Sequence, residues 1–107
     1  MSYLEIPVRS DLPAYEFQIE LEKTLFTFYF QFNARSETWL MDIRDELDED
    51  IVNGIPLLTS VLLTKRFKDS RMPLGDLFIF DSKGENIDPT EDGLGSRFKL
   101  IYRESDT

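Results

Sequence analysis

Carboxylates are the reactive side chains this sequence offers in quantity. Asp and Glu number 21 against 12 Lys and Arg, and the 107 residues include neither His nor Cys, leaving a formal charge of -9. The two missing types remove imidazole bases and the triads built on them, thiolate nucleophiles, disulfides and His or Cys zinc sites. What remains is paired-carboxylate chemistry, which glycosidases perform with two such groups held a few ångströms apart in a cleft. Asp42, Asp45, Asp48 and Asp50 are the candidates. Like charges packed this densely favour a solvated loop, and a chain this short leaves little room for a sugar cleft. The sequence therefore predicts no catalytic residues.

Other site chemistries fail on spacing. Asp48-Glu49-Asp50-Ile51-Val52-Asn53-Gly54 offers spaced oxygens before a glycine, but an EF-hand needs a bidentate Glu near its twelfth position, where this chain has Thr59, and helical flanks. No metal site is expected. Gly93-Leu94-Gly95 lacks the third glycine and the Lys-Ser/Thr pair of a phosphate loop, and Gly75 and Gly84 read as turn residues, so no cofactor is expected either. The acidic balance argues against general nucleic-acid binding, which depends on Lys and Arg displacing counterions. Phe26, Phe28, Phe30, Phe32 and Trp39 carry no interleaved basic residues and read as core rather than as a base-stacking platform.

The elements that must position these groups are strands. Tyr15, Phe17, Ile19 and Leu21 alternate with Glu16, Gln18, Glu20 and Glu22, the period of a half-buried strand. Leu25 to Phe32 is aromatic, uncharged and free of Pro and Gly. Exposed, such a segment would aggregate, so it must be central or covered. Trp39, Met41 and Ile43 alternate next, predicting a hairpin of 25–32 with 39–45. The acidic stretch 45–50 reads as a loop and Asn53-Gly54 as a tight turn. Ile55 to Leu58 and Ser60 to Leu63 read as a strand buried on both faces, with a short helix as the rival. Leu77 to Phe80 and Arg97 to Arg103 are the last strands, joined by a loop over 85–95, and 104–107 is a flexible tail. The expected fold is all-β, one domain over 1–107, a small antiparallel barrel or sandwich of about six to seven short strands. The longest apolar runs stop well short of the ~20 residues of a membrane-spanning helix, and the N-terminus lacks the pattern of a secretory signal, so a soluble chain made in a cytoplasm is expected.

The order Phe30-x-Phe32-Asn33-x-Arg35-x-x-x-Trp39-Leu40-x-Asp42, Gly54-Ile55-Pro56-Leu57-Leu58, Leu63, Phe67-x-Asp69-x-Arg71-x-Pro73-x-Gly75-x-Leu77, Asp81-x-x-Gly84 and Asp92-x-Leu94-Gly95-x-Arg97-x-x-Leu100-x-Tyr102 resembles the small baseplate plug proteins of contractile-tailed phages, cyanophage plugs among them. The resemblance runs from about Tyr15 to Tyr102. It implies a β-rich, non-enzymatic virion component assembled around the central hub at the distal end of the tail tube. The implied partners are other hub and tail-tube proteins and copies of itself in a ring, with no membrane and no specific nucleic acid.

A ring component must offer two complementary surfaces. Charge alone nominates the basic Lys65, Arg66, Lys68 and Arg71 against the acidic Asp45, Asp48 and Asp50. Glu16, Glu20 and Glu22 are candidates to line a channel that DNA crosses without sticking, since like charge repels phosphate. The alternative is a small acidic inhibitor that mimics nucleic acid and binds a host or phage DNA-binding protein. It requires carboxylates gathered on one face, whereas Glu16–Glu22 and Asp45–Asp50 read as separate patches.

Overall fold

A computed structural model describes residues 3–65, 67 and 69–105. Seven antiparallel strands form two sheets: β1 Tyr3–Ile6, β2 Ala14–Leu21, β3 Thr24–Asn33, β4 Thr38–Arg44, β5 Asp50–Pro56, β6 Asp76–Asp81 and β7 Phe98–Arg103. The order is β2-β3-β4-β5 in one sheet and β1-β7-β6 in the other. This is a sandwich and not a closed barrel, because each sheet ends in two edge strands of its own.

Period-two patterning decides which side of each sheet is dry. Phe26, Phe28 and Phe30 of β3 and Trp39, Met41 and Ile43 of β4 are buried, and they meet Leu77 and Ile79 of β6 and Phe98, Leu100 and Tyr102 of β7 in one core. Burying each such side chain contributes about 1.5–3 kcal/mol. The aggregation-prone β3 is central, paired with β2 on one side and β4 on the other. Phe28 packs against Phe17 of β2 and edge-on to Phe30, and Phe32 stands edge-on to Trp39.

The turns use side-chain acceptors more than glycine. Asn33 Oδ1 accepts from the amides of Arg35 and Ser36, an Asx turn that reverses the chain between β3 and β4. Between β2 and β3 only Glu22 and Lys23 intervene, with φ of 50° and 71°. That is the two-residue geometry whose twist suits a hairpin, built without Asn or Gly.

Two expectations are corrected, and one strand is found that the sequence did not signal. Asn53-Gly54 is not the hairpin turn. The chain reverses at 45–49, and Gly54, at φ 74°, lies inside β5, where the β4–β5 register shifts and the Gly54 amide donates to Asp42 Oδ1 at 2.7 Å. Of the apolar stretch 55–63, Ile55 and Pro56 end β5, and 57–63 is neither a strand buried on both faces nor a helix. It leaves β4, where the Leu57 amide donates to the Trp39 carbonyl at 2.9 Å, and then runs irregularly along the free edge of β6, through a bridge between Thr59 and Ile79 and a Leu63 amide to Leu77 carbonyl bond of 2.8 Å. Its apolar run covers an edge that would otherwise offer unpaired backbone. The N-terminal strand β1, which pairs with β7, carries no periodic signal over its four residues. At the other end, the Ser105 amide and hydroxyl donate to Glu22.

Candidate functional site

The acidic loop and the segment before β6 converge on one groove. In the loop, Asp45 Oδ1 accepts from the amides of Leu47 and Glu49, both at 2.9 Å, and the Asp48 amide donates to the Asp45 carbonyl at 3.0 Å. Asp at the first position of such a turn binds its own backbone two residues on, and Asp48 takes the positive φ of 64° that closes the hairpin. Facing it, Asp69 accepts from the Arg71 amide at 2.9 Å and from the guanidinium at 2.8 and 3.1 Å. The Arg71 guanidinium holds the Asp69 carboxyl down at about 2. Arg71 also lies 3.7 Å from Asp45, so it spans the two loops.

Between them lies a cavity of about 320 Å³. Its apolar lining comes from buried Leu21 and Phe26 and half-buried Met72. Leu47 and Leu74, 76% and 71% exposed, stand beside these, and Asp45, Glu46 and Arg71 supply the charges.

The remaining nominated residues are dispersed. Asp48 pairs with Arg44 at 2.9 Å, Asp50 is exposed and lies opposite Arg44, and Lys65 is exposed. Arg66 and Lys68 lie outside the described residues. Glu16 and Glu20 are exposed on the outer face of β2, whereas Glu22 is taken up by Tyr102 and Ser105. Arg44 also pairs with Glu16 at 2.8 Å, so the two acidic patches that read as separate meet at that guanidinium. Among the described residues no three Asp or Glu side chains gather closely enough to hold a metal ion.

Periodicity did not nominate a second polar cluster. Asp81 faces inward at the end of β6 and accepts from the Arg97 guanidinium at 2.8 and 3.0 Å and from the amides of Lys83, Glu85 and Asn86. Arg97 reaches on to Glu85 at 2.6 Å. The guanidinium first, and then these amides, hold the Asp81 carboxyl far below the usual carboxylate range. The cluster shapes the long connection to β7, which the Trp39 indole anchors by donating to the Thr90 carbonyl at 3.0 Å. Gly84 turns within it at φ 67°, and Gly95, at φ 91°, sits where a Cβ would come within 2.4 Å of the Val8 carbonyl.

Several residues that carry the sequence resemblance fix loops: Asp69 with Arg71, Gly75 with Tyr102, Asp81 with Arg97, and Trp39 with Thr90. Over residues 3–105 the chain matches the protein family described as the cyanophage baseplate Pam3 plug gp18. The chain belongs to that family. It is a baseplate plug by family, a structural phage component. No curated protein matches it.

In this plug chain the outer face of the β1-β7-β6 sheet sets exposed aromatic and apolar side chains among the ion pairs Lys99–Glu5 and Arg103–Asp76. Tyr3 and Phe80 are 63% and 54% exposed, Phe78 meets Tyr3 edge-on at 6.4 Å, and Ile101 lies between Glu5 and Phe78 in the register. Val61, from the segment covering β6, is exposed nearby and shares a cavity with Phe78.

Proposed function

We propose that the plug assembles around the central hub at the distal end of the tail tube, in contact with hub and tail-tube proteins and with copies of itself in a ring, and that it works without catalysis or cofactor. The observation that carries this is the family match over 3–105, and the exposed aromatics Tyr3 and Phe80 on the outer sheet face support it, because large apolar side chains left in water mark protein interfaces when they gather. A ring closed by rotation uses two different surfaces of each copy. The Tyr3–Phe80 face and the acidic outer face of β2 lie on different sheets and offer two surfaces of different chemistry, each for a neighbour that matches it.

Cryo-electron microscopy of purified virions tests the reading. Symmetric density for this chain at the tail tip supports it, and absence of the chain from intact particles overturns it. The second reading, an acidic inhibitor that mimics nucleic acid, draws on the junction of the two acidic patches at Arg44. Absence from virions together with capture of a DNA-binding protein, released by added DNA, would favour it instead.

A further inference from the structure

We infer that the groove between the β4–β5 loop and the 69–74 segment receives a partner segment in which a large apolar side chain is flanked by Lys or Arg. This rests on the reading of the chain as a component that binds other baseplate proteins. The cavity is of the size that accepts a small ligand, and Leu21, Phe26 and Met72 supply an apolar lining. Leu47 and Leu74 hold large apolar side chains in water beside it, an arrangement stable when something covers them.

Charge selects the occupant. Asp45 and Glu46 line the groove, Asp48 and Glu49 follow in the same loop, and the one cation lining it among the described residues, Arg71, is occupied by Asp69 and Asp45. The local balance is negative, so a cationic flank is attracted and an anionic one repelled. A second copy, with its net charge of -9, brings mostly carboxylates to this rim and is the poorer fit.

The test is a nuclear magnetic resonance titration of the isotope-labelled full chain with a short synthetic peptide carrying Leu-Phe between pairs of Lys. The expected result is saturable movement of amides at 21, 26, 45–47, 70–72 and 74, weakened by salt and absent with the same peptide flanked by Glu. Leu74→Asp and Glu46→Lys, both at exposed positions and so compatible with folding, each weaken binding about tenfold. Four results overturn the proposal: no movement, movement spread over the acidic surface, equal binding of a peptide with Ala-Ala in place of Leu-Phe, or the same amides moving when the protein alone is concentrated, which would assign the groove to a second copy. Failure here with density at the tail tip removes the groove and leaves the baseplate reading intact.

Discussion

The Tyr102 hydroxyl donates to the Glu22 carboxylate, joining the last strand of one sheet to the first hairpin turn of the other. Tyr102 is fully buried, and its hydroxyl also accepts from the Gly75 amide at 2.7 Å. One oxygen therefore satisfies a backbone donor and a carboxylate from two different segments. Tyr102→Phe leaves the Gly75 amide without its partner, and the expected loss is about 1–3 kcal/mol. Urea denaturation checks this, with a lower midpoint at unchanged slope. Wild-type stability in the variant would mean that water replaces the hydroxyl.

Acid should unfold the chain through its paired carboxylates. Arg71 lowers the Asp69 carboxyl from 3.8 to about 2, Arg97 lowers Asp81 further, and Ser105 and Tyr102 lower Glu22. A folded-state pKa below the unfolded one contributes stability that is complete above the unfolded value and lost as pH falls through the folded value. The melting temperature is therefore expected to hold above pH ~5 and to fall steeply toward pH ~2. Tyr102 sets the opposite limit. Burial, and then its bond to Glu22, raise the phenol above its ordinary 10.0, so that contribution is present below pH 10.0 and lost as pH climbs past it. Asp81→Asn should melt lower at neutral pH and show a shallower acid slope. An unchanged acid slope would assign the acid sensitivity to other groups.

How legible the fold was depended on whether a residue's partner lay nearby in sequence. Phe26, Phe28 and Phe30 announce a central or covered strand by themselves, and Phe98, Leu100 and Tyr102 announce the last strand by their alternation. The irregular path of 57–63 is hidden in the sequence because the run does two jobs at once, sealing the edge of β6 through Thr59 and Leu63 while Leu57 and Leu63 fill the core, and its composition alone separates neither from a buried strand. The pairing of Asp81 with Arg97, sixteen residues on, was equally hidden, since exposed and buried carboxylates look alike until topology places them. Charge patterning did bring out Asp45 and Arg71, which share a groove and lie 3.7 Å apart within one chain.

The Glu22-Lys23 turn gives a separate test, because nothing in its composition signals a turn. Glu22 is held by Tyr102 and Ser105, whereas exposed Lys23 carries φ 71°. A left-handed conformation costs a residue with a Cβ about 1–2 kcal/mol, part of which glycine returns as unfolded-state entropy. Lys23→Gly should therefore stabilise the chain by about 0.5–1 kcal/mol, read as a higher urea midpoint. A lower midpoint would show that the Lys side chain itself holds the turn.

Glycines at positive φ differ by what surrounds them. At Gly54 a Cβ meets nothing within 4 Å, so Gly54→Ala carries only the conformational cost of about 1–2 kcal/mol. At Gly95 the same atom lies 2.4 Å from the Val8 carbonyl and 3.1 Å from the Arg9 Cα, both backbone that cannot swing aside. Gly95→Ala should lose clearly more stability than Gly54→Ala, and it should loosen the 7–13 connection that carries the chain from one sheet to the other. Thermal melts rank the two variants, and amide exchange at Val8 and Arg9 locates the difference. Equal losses would mean that the connection shifts freely.

The outer face of β6 links fold to assembly through Phe80. That side chain is 54% exposed and lies opposite Lys99 in the register, outside the core that Leu77 and Ile79 enter from the same strand. Phe80→Glu therefore leaves the core intact and should change stability by no more than about 1 kcal/mol. If the Tyr3–Phe80 face is an assembly surface, the carboxylate desolvates poorly there, and virions made with the variant should incorporate much less of the chain. Quantitative mass spectrometry of purified particles, beside a melt of the isolated variant, separates assembly from folding. A stable variant incorporated at wild-type level would take this face out of the interface and leave the acidic face of β2 as the next surface to reverse, at Glu16 and Glu20.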